Sequence, residues 1–226
     1  MLKTLFNKLL EMKILILLLT FSLTNYSVTK TNIEKERSLL KTEYLSNENK
    51  ANTLNEARIK LTECLYNDIF NHWYTTKWSF EGHTETPKQG TIACGYFVST
   101  TLRDVGFNLN RYKLAQRKPE DETKSIACGT AIDKLQNINK QELKKYFLKQ
   151  KDGIYFIGLD FHVGYIYKNN QEVYFIHSNY INNKGVIKET IENSKAIVSS
   201  QYFIVSITHN DNLIKKWLLK EIVAIN

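Results

Sequence analysis

The hydrophobic period changes near residue 150, and that change dictates the fold class. Before it, apolar residues recur at helical spacing; from 153 onward they alternate. Leu54, Ala57, Leu61, Cys64, Leu65, Ile69 and Trp73 form one stripe of an amphipathic helix over 52–75. INKQELKKYFLKQ, residues 138–150, reads as another helix. GIYFIGL (153–159), HVGYIYK (162–168) and EVYFIHS (172–178) are strand-like, rich in β-branched and aromatic residues. NSKAIVSSQYFIVSITH (193–209) ends in a further strand, and LIKKWLLKEIVAI (213–225) reads as a terminal amphipathic helix. Helices first and an antiparallel sheet after them predict an α+β fold.

The 226 residues suit one domain with an appendage. ILILLLTFSLT (14–24) is apolar and follows Lys3, Lys8 and Lys13. It is shorter than the about 20 residues that a membrane span needs. Residues 1–27 therefore read as a signal peptide, with an uncleaved anchor as the alternative, and the chain as exported to the periplasm or beyond a bacterial cell. Residues 28–50 are polar with weak helical periodicity and read as a stalk, leaving 51–226 as the folded domain. The net charge of +8 includes +2 from Lys3, Lys8, Lys13 and Glu11, leaving +6 scattered over helical segments. No Arg/Lys stripe is interleaved with aromatics, so a nucleic-acid partner is not expected, whereas an anionic polymer such as a cell wall suits a mildly basic surface.

Three cysteines, Cys64, Cys94 and Cys128, leave at least one thiol unpaired or bonded between chains in an oxidising compartment. Cys64 lies on an apolar helical stripe and reads as core. A Cys64–Cys128 disulfide would leave Cys94 as the odd thiol, and spacing leaves Cys128 open between core, exposed and bonded. WSFEGHTETPKQGT (78–91) is a loop, marked by Gly82, Pro87 and Gly90. After it, Phe97, Thr101, Leu102 and Val105 share a helix face and Gly106 stops the helix. Cys94 falls in the first turn, where free N–H groups and the helix dipole favour a thiolate and can hold an oxyanion.

Asn169-Asn170 fits a two-residue hairpin turn, because Asn tolerates positive φ. That register sets His162 directly opposite His177, on a face shared with Gly164, Ile166, Val173 and Phe175. A nucleophilic thiol, an imidazole to take its proton and a second polar group to orient that imidazole make a catalytic set. Cys94, His162 and His177 lack tight metal-ligand spacing, so no metal or cofactor is expected. Asp160 reads as a loop cap, and His72, His83 and His209 as surface or structural residues.

Three blocks in this order resemble the NlpC-type cell-wall cysteine peptidases, small members of the papain-like group. They are Ala93-Cys94-Gly95-Tyr96-Phe97-Val98, His162-Val163-Gly164-Tyr165-Ile166-Tyr167 and Ile176-His177-Ser178. The family patterns are Asp-Cys-Ser-Gly-Phe-Val, His-Val-Gly-Ile-Tyr and Ile-His-Ala. WSFEG (78–82), Leu109-Asn110-Arg111, Gln116 and KDGIYFI (151–157) sit where the family has an aromatic-glycine loop, a Leu-Pro-Arg segment with a following Gln, and a strand entry. Ala93 and Gly95 replace the family's Asp and Ser, and the upstream tyrosine motif is not intact. The resemblance covers 78–180 and leaves 193–226 without a counterpart.

The resemblance implies a papain-like fold with Cys94 as nucleophile, His162 as general base and acid, and His177 as the orienting third member. Asn179 is the alternative for that third role. It implies hydrolysis of an amide bond in peptidoglycan stem peptides without a metal. Two other readings keep the fold. One is a secreted protease, amidase or acyltransferase toxin acting on protein or lipid. The other is a non-catalytic exported binding module.

Overall fold

The computed structural model describes residues 25–226. The apolar run 14–24, and with it most of the expected signal segment, lies outside the described residues. Helix α1 is helical from 25 through 46. The segment read as a stalk thus lies along the domain. Tyr26 and Ile33 are buried in the main core, and Arg37 donates to the Trp217 and Leu218 carbonyls. Those carbonyls lie in the last turn of a helix, where a guanidinium is a favourable donor.

Helix α2 (Lys50–Glu63) runs through a π-helical turn at Cys64–Ile69 into α3 (Phe70–Trp73). The expected stripe is the buried one: Leu54, Ala57, Leu61, Cys64, Leu65, Ile69 and Trp73 all face the core. Next come α4 (Cys94–Asp104), α5 (Arg111–Ala115) and α6 (Pro119–Ala127). Gly106 takes φ +113 just past α4, a conformation that suits glycine at a helix end. Helix α7 (Lys140–Leu148) starts on a capping box between Asn139 and Glu142. Helix α8 (Asp211–Leu219) stops earlier than its apolar pattern suggests, because Lys220 turns left-handed.

Six strands form one sheet: β1 (Asp133–Gln136), β2 (Gly153–Gly158), β3 (Val163–Asn169), β4 (Glu172–Asn179), β5 (Gly185–Thr190) and β6 (Gln201–Ser206). Their order is β1-β6-β2-β3-β4-β5, and every neighbouring pair is antiparallel. The chain is therefore α+β. Alternation assigns the faces. Ile154, Phe156, Val163, Tyr165, Ile176 and Val205 join the large core with α2, α3, α4 and α8. Tyr155, Ile157, Ile166, Val173, Phe175 and Ile204 meet α7 and residues 191–197 on the other side.

The three cysteines are free. Among the described residues no helix is long and apolar enough to cross a membrane.

Tyr26 tests how firmly α1 belongs to the domain. Its hydroxyl donates to Asp104 Oδ2 and accepts from Trp73 Nε1, both at 2.8 Å. Tyr26→Phe strands a buried carboxylate oxygen and an indole N–H, so about 1–3 kcal/mol of stability is lost. Urea unfolding reads this as a lowered midpoint with an unchanged slope. A midpoint equal to that of the wild type would mean that α1 does not contribute to the fold.

Candidate active site

Cys94 is the first residue of α4, and its neighbours show why it sits there. Ala93 caps the helix with extended backbone and no side-chain acceptor, so the N–H groups of the first turn stay free. Ala93 N donates to Gly82 O at 2.7 Å, and Ile92 N to Lys77 O. A Cβ at Gly82 would fall 2.6 Å from Ile92 N, so loop 78–91 lies flat on the strand entering α4 only because residue 82 is glycine. Gly95 has a similar cause. A Cβ there would fall 2.6 Å from the Ala115 carbonyl, where α5 crosses α4. This explains glycine where the resembled pattern has serine.

Arg111 completes the support. It is buried, donates to Thr100 Oγ1 and to the His83 and Thr84 carbonyls, and stacks between Tyr96 and Tyr112. From the sheet side, Ser178 Oγ donates to Ile92 O at 2.6 Å.

The histidines meet, but not through the expected register. The pairing is Asn169↔Glu172, Ile166↔Phe175 and Tyr165↔Ile176, so the turn is Asn170-Gln171 and not Asn169-Asn170. Asn170 takes the positive φ, +53. Continuing the pairing sets Gly164 opposite His177 and makes His162 its diagonal neighbour. A two-residue change in partner preserves the face, which is why the two imidazoles still come together. His162 Nε2 lies 2.8 Å from His177 Nδ1. The His177 ring stacks on Phe175 at 4.0 Å, across Gly164. A Cβ at Gly164 would meet Phe175 Cε2 at 2.6 Å and His177 Cβ at 2.9 Å. The continued register sets Asn179 opposite His162; its Oδ1 accepts from Ile181 N, and among the described residues no hydrogen bond joins it to the imidazole.

The sequence reading missed Glu189. Its Oε1 lies 3.2 Å from His177 Nε2 and continues the chain His162–His177–Glu189. The signal was present in Val186, Ile187, Lys188 and Glu189 after a turn at Lys184-Gly185, an edge-strand pattern too polar to stand out.

The turn that carries His162 is also fixed. Leu159 N donates to His162 O, and Asp160 accepts from Ser200 N and Oγ, as a loop cap should. Tyr180 packs edge-on against His162 at 5.2 Å. His72, His83 and His209 bond Thr29, the Glu81 carbonyl and the Asp152 carbonyl, away from this chain.

Cys94 reaches the neighbour of His162. The backbone N–H dipoles of Val163, Gly95 and Cys94 itself favour a thiolate at its sulfur. Among the described residues, no hydrogen bond joins Cys94 Sγ to an imidazole. Burial pushes the Cys94 thiol up to about 11; the Val163 donor opposes the rise and the charge of Glu122 adds to it. Burial also holds His162 well below the usual histidine value, reinforced by His177. His177 is lowered by burial and partly restored by Glu189. Burial would raise the Glu189 carboxyl, but the bond from His177 and other donors bring it below its ordinary value.

A neutral imidazole pair ending on a carboxylate has fixed tautomers. Glu189 accepts from His177 Nε2–H, His177 Nδ1 accepts from His162 Nε2–H, and His162 Nδ1 is left unprotonated. That nitrogen has no partner among the described residues and is a ready proton acceptor. Among the described residues no three His, Cys, Asp or Glu side chains gather as a metal site. Comparisons with protein-family models, curated proteins and solved structures return no match.

Gly164→Ala should displace Phe175 or His177 and break the imidazole pair. The measurement is the His162 and His177 ring signals by NMR, and unshifted signals would contradict this packing. The buried imidazoles also set a pH dependence. Their folded-state values lie below the unfolded value of about 6.5, so the unfolded state binds protons first. Their contribution is complete above that value and is lost as pH falls through the folded values, at up to about 1.4 kcal/mol per pH unit for each group. Urea midpoints between pH 7.5 and 5 should fall in wild type and fall less in His162→Gln; equal slopes would refute the burial argument.

Proposed function

We propose that this chain is a cysteine hydrolase of papain-like architecture that cleaves an amide bond. The observation that carries the reading is the chain Glu189–His177–His162, which presents a free Nδ1 one residue before β3, the strand against which α4 and its first residue Cys94 pack. The Cys94 thiol passes its proton to His162 Nδ1 as sulfur attacks the carbonyl carbon. Amides at the start of α4 face the oxygen that gains charge. Collapse of the tetrahedral species breaks the C–N bond, and His162 returns the proton to the leaving amine. Water, deprotonated by His162, then attacks the thioester carbon; the C–S bond breaks, the acid leaves, and His162 returns the proton to the Cys94 sulfur. His177 and Glu189 stabilise the imidazolium formed on the way.

The three-block resemblance supports peptidoglycan stem peptides as the substrate and an exported, cell-wall setting as the location. A secreted enzyme acting on protein or lipid amides uses the same steps with a different groove.

One observation favours a non-catalytic module instead: the thiol stands at about 11 and bonds no imidazole at rest. Product analysis separates the readings. Incubation with purified peptidoglycan followed by mass spectrometry should show new muropeptide fragments, lost by roughly 10³-fold or more in Cys94→Ala with an unchanged melting temperature. Glu189→Gln should lower kcat by about 10²-fold, because an amide no longer fixes the tautomers. Cleavage that survives Cys94→Ala removes the thiol mechanism. No cleavage of peptidoglycan, protein or lipid amides by the wild type leaves the binding module.

A further inference from the structure

Helices α1 and α2 form an antiparallel pair joined by residues 47–49. Thr53 Oγ1 donates to Glu43 at 3.3 Å, and Lys60 Nζ lies 3.5 Å from Glu36 Oε2. Between the two helices runs a groove of about 480 Å³. Glu36, Leu39, Leu40 and Glu43 line it from α1. Glu56, Ile59, Lys60 and Glu63 line it from α2, at the same spacing. An i, i+3, i+4, i+7 set is one helix face about 11 Å long, so each helix turns a single two-turn stripe to the groove. An exposed aliphatic side chain lies in the middle of each stripe: Leu39 is 64% exposed and Ile59 54%. With Val28 and Leu45 they are four of the six large aliphatic side chains exposed among the described residues. Single exposed aliphatics are ordinary on a surface, but a cluster on one hairpin marks a face that something covers.

Charge is sorted on this hairpin as well. Over 25–46 and 50–63 the two helices carry five Glu and seven Lys or Arg. Four of the five Glu line the groove, at the ends of both stripes, and Lys60 is the one base among the lining residues. The remaining bases are drawn elsewhere: Arg37 to Glu34 and the α8 carbonyls, Arg58 to Asp211, Lys30 and Lys50 over the Tyr26 and Tyr44 rings. Lys60 pairs with Glu36 and Glu63, and among the described residues Glu43 and Glu56 have no ion pair. One Lys against four Glu gives the groove a net charge of −3, in a chain of +8. Such a groove repels anionic lipid, nucleic acid and wall polymer alike. Its two parallel stripes have the shape that a third helix fills. We propose that this groove docks an amphipathic helix of a partner protein, two turns or longer, whose apolar stripe covers Leu39, Leu40 and Ile59 and whose flanking Lys or Arg residues meet the glutamates. The inference is independent of any chemistry at Cys94.

The probe is a fluorescent peptide of leucine and lysine, about 14 residues long with leucine at helical spacing, titrated with the full chain and read by fluorescence anisotropy. Saturable binding in the micromolar range is expected. A scrambled peptide of the same composition should bind about tenfold more weakly or less, because its leucines share no face. Leu39→Ser and Ile59→Ser remove the apolar floor and should each weaken binding about fivefold. Glu56→Lys should weaken it about tenfold and Glu56→Gln about threefold, with both differences shrinking in about 0.5 M salt. These side chains are exposed, so melting temperatures should stay at the wild-type value. Val198→Ser, at an exposed aliphatic outside the groove, should bind as wild type does. No saturable binding overturns the proposal, as does equal binding of the scrambled peptide or unchanged affinity in Ile59→Ser and Glu56→Lys. Two other occupants would also overturn it. A wild-type dimer in sedimentation that Ile59→Ser splits would mean that a second copy fills the groove. Probe binding that emerges only when Lys3 and Lys8 are both replaced by Glu would mean that the chain's own N-terminal segment fills it.

Discussion

One buried phenol sets the position of everything at the candidate site. Tyr165 is fully buried on β3, and its hydroxyl is within hydrogen-bond distance of Val98 O and Thr101 Oγ1 on α4. Two polar contacts one turn apart fix both the rotation and the axial position of the helix on the strand. An apolar contact alone would let α4 slide, because hydrophobic attraction is not directional. Phe70 and Phe97 pack around the ring at 4.8 and 5.9 Å and exclude water from these bonds. With α4 pinned there, its first residue falls at the first residue of β3. The placing of Cys94 at the β3 end of the site follows from a contact a full helical turn away.

The two sides of the sheet carry different chemistry. Phe175, His177 and Glu189 belong to the α7 side, whereas Cys94, Val163 and Tyr165 belong to the α4 side. His162 immediately precedes β3, where the backbone leaves the sheet, so it is placed to serve both. Burial neutralises the imidazoles and the thiol alike, and the backbone amides around the sulfur supply the main polar field. Under the proposed reading, the resting site holds no thiolate–imidazolium pair. Ionisation is deferred until a carbonyl carbon is present to receive the sulfur electrons.

The sequence displayed the elements with strong periodicity and hid those without it. The stripe from Leu54 to Trp73, the alternation in β2, β3, β4 and β6, and the first-turn place of Cys94 were readable, because each buries a regular apolar face. β1 was not, since Asp133, Lys134 and Gln136 expose an edge strand with little to bury. β5 was missed for the same reason, and Glu189 with it. The hairpin turn was misplaced by one residue, because Asn169 and Asn170 tolerate positive φ equally and only packing chooses between them. Even so, the error fell on a partner of the same parity and left the histidines on one face. Glu122 looked like any acidic residue in the first turn of a helix. Its burial comes from α6 packing on β2 and β6, which no local pattern reveals.

The docking of α1 bears on the order in which the chain can fold. Arg37 bonds carbonyls 180 and 181 positions away, at Trp217 and Leu218. In a growing chain α1 is made well before α8. Tyr26 meets Trp73 and Asp104, which come much earlier, but the Arg37 end of α1 waits for α8, and that closure is a long-range event of the kind that folds slowly. Until α8 forms, α1 is held at one end only, and its Arg37 guanidinium stays in water.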